Sequence, residues 1–414
     1  MPEQPLQVLR GRLPDVAPPS RLDERWRKVR RLLVVRLDNL GDVLLMTPAF
    51  RALKRALPQA TLTLLASPVG AQVGALNPDL DEIIVYEAPW VDPWARLPHD
   101  SQREEAMIRL LRERRFDGAI IFTSFRQSAL PAAYLCYLAD IPLRLAASSD
   151  GSGSLLTTRL RPSGGQLHEV ERALELVAAI GVPPAGLDLV LAVPEAARQE
   201  WRTVLTESGL GQQPPRPLIV VHPGCSMPAR TYPWELFSMV IEGLVAELGA
   251  TVCLTGAEHE KELVERIHAR VAPLQRQWVL PLAGRLSFAG LCALIEGAAA
   301  VVTNNTGPMH IAAALGTAVV ALFALTNPPE QWRPWRVPYR LLYREVPCRL
   351  CYQRLCPYDQ LCLRGVRPAE VVTATATLLA QHTQGISSRE QERERAGERE
   401  EWHSVVRSES HEQR

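Results

Sequence analysis

Apolar and polar positions along the chain fall into short alternating blocks from Arg31 onward. The run RLLVV is bounded by charge on both sides, which suits a buried strand of a parallel sheet. After RLDNLGD comes VLLMTPAFRALKRALPQA, where apolar positions recur at helical spacing and Arg51, Lys54 and Arg55 take the opposite face. Strand then helix is the reading. The pattern repeats through the strands TLTLLAS and EIIVYEA, the charged helix REEAMIRLLRERRFD, the strand GAIIFTS and the helix SALPAAYLCYLAD. A glycine-rich break at SSDGSGS and the helix HEVERALELVAAIG close this half. PLIVVHPG opens a second series, followed by WELFSMVIEGLVAELG, ATVCLTG, EHEKELVERIHARVA, WVLPLAG, SFAGLCALIEGAA, AVVTNN, GPMHIAAALG and AVVALFA. Strands separated by helices of this length predict an α/β fold with two doubly wound parallel sheets. Ligands are then expected beyond the carboxyl ends of the strands, in a crevice between the two units.

The length of 414 residues agrees with two domains of about 150 to 200 residues each. The boundaries read as a polar N-terminal extension over 1–30, an N-terminal domain over 31–194 and a C-terminal domain over 195–383. Residues 384–414 have almost no apolar content, which predicts a disordered tail. With 46 basic against 45 acidic side chains, the formal charge is +1. Nothing in that balance points to nucleic acid as a partner. No apolar run approaches the about 18 residues of a membrane helix, and the first 30 residues lack a secretory core, so a cytoplasmic protein is expected. Cys136, Cys225, Cys253 and Cys292 lie in apolar segments and read as buried thiols. Cys348, Cys351, Cys356 and Cys362 are spaced C-x2-C-x4-C-x5-C. That set suits a structural zinc or an iron–sulfur cluster, with free thiols and a disulfide as alternatives.

Four strand-to-helix junctions carry candidate chemistry. In VVRLDNLGDVLLMTP, Gly41 allows a sharp turn and Asp42 falls at a helix start, as either a general base or a helix cap. In HPGCSMPARTYPWELF, Arg230 is the one strong cation, either a surface group or a two-point grip on a diphosphate. In LTGAEHEKE, acids open a helix; they complement its dipole, or Glu260 holds ribose hydroxyls. In VVTNNTGPMHIAAALGT, a strand ends at Asn304 and Asn305, and Thr306 and Gly307 open a helix with His310 on its first turn. Free amides there make an anion site, with a plain start capped by Thr306 as the other reading.

Together, RLDNLGDVLLMTPAFRAL, the HPG loop, LTGAEHEKE, LAGRLSFAGLCALIEGA and VVTNNTGPMHIAAALGTAVVALFALTNP resemble glycosyltransferase family 9, typified by the ADP-heptose:lipopolysaccharide heptosyltransferases. The likeness runs from about Arg31 to about Ala380. It implies a GT-B fold and an inverting transfer that requires no metal or other cofactor. The nucleotide-sugar donor would be held by the C-terminal half, and a glycolipid or glycan acceptor at the inner membrane surface by the N-terminal half. Matched onto this chain, the resemblance makes Asp42 the catalytic base. It places Arg230, Asn305, Thr306, Gly307 and His310 around the donor, beside Glu260 as read above, with Gly41 on the acceptor side. Family members often carry lysine at Arg230 and aspartate at Asn305, and the second change bears on the donor sugar.

Overall fold

The computed structural model describes residues 21–92, 94–124, 126–162, 166–209 and 216–381. Among these residues twelve strands form two six-stranded sheets, parallel throughout. The first holds β1 (Arg31–Arg36), β2 (Thr61–Ala66), β3 (Glu82–Val85), β4 (Gly118–Ile121), β5 (Leu143–Ala147) and β6 (Thr158–Leu160), in the order β3-β2-β1-β4-β5-β6. The second holds β7 (Leu218–His222), β8 (Thr251–Leu254), β9 (Val279–Pro281), β10 (Ala300–Asn304), β11 (Ala318–Leu322) and β12 (Tyr339–Leu342). Its order, β12-β11-β10-β7-β8-β9, repeats the first. In each sheet the strand order reverses between the first and fourth strands, and a ligand crevice opens beyond such a switch point. Those places are β1/β4 and β7/β10.

The central strands are apolar because helices cover both faces of each sheet. Leu32, Leu33, Val34 and Val35 of β1 are buried, as are Val301 and Val302 of β10. One hydrophobic cluster runs from β1 and the helix Leu40–Ala56 through to Val220, Val301 and Met309, so the two halves share apolar packing. A second core, around Phe237, Val252 and Val320, is closed by the segment from Leu363 and the helix over 368–381.

Three strands escape the hydrophobic pattern. β5 and β6 flank the glycine-rich break, and β12 is half-buried throughout, so none shows a clean apolar run. The expected N-terminal extension also needs correction. Residues 24–27 form a helix whose Trp26 is fully buried, tight against Gly118 of β4. One aromatic ring at the amino end of an interior strand outweighs a polar neighbourhood, because the ring buries a large apolar area while the flanking charges stay in water. Residues 1–20 and the expected tail over 384–414 lie outside the described residues. Among those described, no helix is long and apolar enough to cross a membrane.

Candidate active site

The junctions singled out in the sequence converge at the two switch points. After β1, Asn39 takes the N-cap position of the helix Leu40–Ala56, and Asp42 stands at its third residue. Asp42 Oδ2 accepts the Asn39 N–H at 3.1 Å. The cap residue is therefore Asn39, and Asp42 closes the box from inside the helix. Its second oxygen has different work: Oδ1 lies 2.8 Å from Arg36 Nη2 and 3.3 Å from Ser124 Oγ. Asp42 is 8% exposed, so its carboxylate is largely withdrawn from water while one edge stays open.

The facing helix, Gly307–Leu315, starts after β10. Thr306 is its N-cap residue but makes no side-chain cap hydrogen bond, so capping by the threonine hydroxyl is set aside. Pro308 lacks an N–H, and the Met309 amide turns back to Thr306 O. The Thr306 and Gly307 amides remain at the positive end of the helix, the arrangement that binds anions. Gly41 and His310 meet where the helices cross: a Cβ at Gly41 would stand 2.6 Å from His310 Cδ2, and one at Gly307 3.1 Å from Leu40. Both glycines allow the two helix starts to approach across the crevice. His310 is buried and burial lowers its pKa to about 4, opposed by Asp42 and reinforced by Arg230. The imidazole is neutral at pH 7, with Nδ1 lacking a partner among the described residues.

Arg230 closes a short turn, Pro228–Arg230, after β7. Its Nε donates to Thr326 Oγ1 at 2.9 Å. Thr326 Oγ1 donates to Asn327 Oδ1 at 3.2 Å, and that oxygen also receives Asn305 Nδ2 at 3.0 Å. Asn305 thus belongs to a buried amide network that orients the guanidinium. Burial lowers the Arg230 pKa, countered by Cys225, Asp42 and Cys351; a guanidinium remains charged regardless. Asn304 ties the loops together, accepting the Tyr232 N–H at 2.9 Å and donating to Pro223 O at 2.7 Å. Glu260 presses against Gly224 and accepts the Ala257 amide at 2.8 Å. Its carboxylate also lies 3.8 Å from His222 Nε2. The structure therefore brings Gly41, Asp42, Arg230, Asn305, Thr306, Gly307 and His310 to one crevice, with Glu260 on the adjacent turn after β8.

Arg36, Asp38, Ser124 and Glu169 also surround Asp42 and were not singled out in the sequence. Arg36 is fully buried directly after the apolar run Leu32–Val35 of β1, and a charge there had a legible signal. Ser124 and Glu169 come from distant segments and had none. Beside Asp38 a cavity of about 260 Å³ is lined by Trp90, Arg126, Gln127 and Ser128.

The four clustered cysteines are unpaired. Among the described residues no group of three or more His, Cys, Asp or Glu is arranged to hold a metal ion, although the four cysteines gather: burial raises the Cys362 pKa, reinforced by neighbouring Cys356, Cys351 and Cys348. Cys356 Sγ accepts the Gln360 amide at 3.3 Å, and Cys362 packs against the second core. The segment braces the site: Ala229 N donates to Arg354 O, and Tyr352 N to Thr326 O. It also reaches the N-terminal half, with Arg126 over the Tyr352 ring at 4.3 Å and Arg354 over Trp94 at 5.8 Å.

The model of glycosyltransferase family 9 (heptosyltransferase) matches residues 105–362, more than half of the chain. The chain belongs to glycosyltransferase family 9. Lipopolysaccharide heptosyltransferase 2 of Salmonella typhimurium is 28% identical over 307 residues, covering 72% of this chain and 84% of that protein. Lipopolysaccharide heptosyltransferase 3 of Escherichia coli is 26% identical over 352 residues, covering 84% and 98%. Among solved structures, a family 9 glycosyltransferase from Veillonella parvula superimposes with a TM-score of 0.71 at 22% identity, over 85% of this chain and 98% of that one. The E. coli ADP-heptose lipopolysaccharide heptosyltransferase II gives 0.68 at 23%, over 85% and 99%. Both the family resemblance and the GT-B architecture expected from the sequence are borne out.

Proposed function

We propose that this family 9 enzyme transfers a heptosyl residue from a nucleotide-activated donor, ADP-heptose in the first instance, onto a lipopolysaccharide core or related lipid-linked glycan. The observation that carries this reading is the meeting of a carboxylate from one half with a cation and free helix amides from the other. Asp42 Oδ2 is bound by a single amide and retains a lone pair for an acceptor hydroxyl. As that hydroxyl loses its proton to Asp42, its oxygen bonds to the anomeric carbon. The bond from that carbon to the diphosphate breaks on the opposite side, inverting the centre. Arg230 and the Thr306 and Gly307 amides take up the charge on the departing diphosphate, work done elsewhere by a divalent cation. Glu260 is assigned to the donor ribose, and neutral His310 supports the donor beside Asp42. The cavity beside Asp38 supports an acceptor site in the N-terminal half. The acceptor's lipid places the enzyme's work at the cytoplasmic face of the inner membrane.

The test is transfer itself. The purified protein is incubated with ADP-heptose or a UDP- or GDP-sugar and a lipopolysaccharide core acceptor, and the product linkage is read by NMR. Transfer from ADP-heptose with inversion, unchanged by EDTA, is expected. Preference for a UDP- or GDP-sugar would reassign the donor, and retention of configuration would remove the single-step mechanism.

A further inference from the structure

A dense knot of buried charge lies directly behind Asp42. Arg36 Nη2 stands 2.8 Å from Asp42 Oδ1, 2.9 Å from Asp38 Oδ2 and 2.7 Å from Ser124 Oγ. That nitrogen carries two hydrogens, so it cannot donate fully to all three acceptors. Ser124 has one hydroxyl hydrogen and lies 3.3 Å from Asp42 Oδ1 and 3.5 Å from Asp38 Oδ2. Asp38 is fixed from its other side by Gln127 Nε2, 3.0 Å from Oδ1. Two carboxylates therefore compete for one guanidinium edge and one hydroxyl.

The geometry points to Asp38 as a positioning residue that sets the basicity of Asp42, by sharing Arg36 so that the cation never neutralises Asp42 alone. This rests on Asp42 being the base. A carboxylate fully paired with a buried arginine is a poor proton acceptor, because protonation breaks the pair. With Asp38 present, Arg36 and the Ser124 hydroxyl turn to Asp38 as Asp42 takes the acceptor's proton, and the guanidinium stays partnered. No further bond forms or breaks: the proton remains on Asp42 until product leaves.

The surrounding charges agree. Asp38, Asp42 and Glu169 face Arg36, with Arg172 beside Glu169, so carboxyl groups outnumber guanidiniums in the cluster. Burial raises Asp38, opposed by Arg36 and reinforced by Asp42. Burial raises Glu169 to about 7, opposed by Arg36 and Arg172 and reinforced by Asp42 and Asp38. Across the crevice, His310 and Arg230 are the titratable and charged groups facing Asp42. Coupled carboxylates titrate as a unit, so the consequence is read from the whole enzyme's pH profile.

The experiment is the pH dependence of kcat/KM for wild type, Asp38→Asn and Asp38→Glu, with KM for acceptor and donor measured at each pH. Asp38→Asn is isosteric and removes the competing charge. Its acid limb is expected to move to lower pH by about one unit, with plateau kcat falling about tenfold as the base weakens. Asp38→Glu keeps the charge and is expected to hold the acid limb near the wild-type position. An unmoved limb in Asp38→Asn with a uniformly lower kcat would make Asp38 a packing residue, and an unmoved limb with raised acceptor KM would make it an acceptor contact; either overturns the proposal. If Asp38→Asn does not fold, a wild-type limb in Asp38→Glu supports the proposal, and a displaced limb overturns it. Failure of the base assignment is distinct: Asp42→Asn would then retain turnover whatever Asp38 does.

Discussion

Gly41→Ala probes the contact between the two halves with a single methyl group. The residue lies inside the helix Leu40–Ala56 with ordinary helical backbone, so alanine strains nothing locally and gains about 1 kcal/mol of helix propensity. Its Cβ would stand 2.6 Å from His310 Cδ2, where ordinary contact begins at 3.4 Å. The His310 ring is buried on its own helix start and cannot swing aside as a long flexible chain would. The helix starts must therefore separate by the better part of an ångström, at an overpacking cost of about 1 to 3 kcal/mol. Net destabilisation should be small, about 0 to 2 kcal/mol once the propensity gain is counted. Catalysis should suffer far more, since misplacing reacting groups by about 1 Å costs on the order of 100-fold in rate. The assay pairs steady-state kinetics with thermal melting, and adds His310→Ala and the double variant. Removing the ring removes the clash, so the double variant should be no slower than His310→Ala alone. A Gly41→Ala enzyme within twofold of wild-type kcat would refute the claim that these helix starts meet in the reacting state.

Protonation of two buried histidines should destabilise the fold between about pH 6.5 and 3, against an opposing contribution from Glu169 and Asp38, whose raised pKa values favour the folded state as pH falls. Burial lowers His310 to about 4 and His168 to about 3, so at these two sites protons favour the unfolded chain, and stability present above pH 6.5 is lost as pH falls, on the order of 3 to 5 kcal/mol per histidine at full protonation. His168→Asn should flatten the melting temperature against pH over that window. It should also lower the neutral-pH value, because the ring stacks on Trp335 and bonds Arg333 O at 2.9 Å; an unchanged acid slope would remove His168 from the account. Asn305→Asp replaces the Nδ2 donor to Asn327 with a carboxylate that only accepts, so it should change the preference among nucleotide sugars more than affinity for free ADP or UDP. One common loss across all of them, measured by competition, would confine Asn305 to orienting Arg230.

Much of this was legible in the chain, and the parts that were not share a physical cause. Strands buried on both faces carry unbroken apolar runs, so β1, β7 and β10 stand out; β12 is half-buried and carries no such run. The junction motifs around Asp42, Arg230 and Thr306 are local, and loops at a switch point necessarily face one crevice. The partners of those motifs are not local. Ser124 and Glu169 reach Asp42 only through sheet order, and Asn327 reaches Asn305 from the end of the neighbouring strand. Spacing says less where tertiary structure adds a second role: the segment holding four cysteines within fifteen residues also braces the Arg230 turn, through Arg354 O and Tyr352 N. Trp26 shows the converse, a single ring anchoring a stretch whose composition reads as solvent-exposed.

The central claim is that Asp42 is the base in a transfer whose donor is held by the opposite half. Its most direct test measures donor affinity by calorimetry and single-turnover transfer by rapid quench, on wild type and Asp42→Asn together. Donor affinity within about threefold of wild type, with transfer reduced at least 100-fold, is expected of a lost general base. Transfer near the wild-type rate would contradict the account, and donor binding lost in parallel with transfer would make Asp42 a structural residue of the helix start.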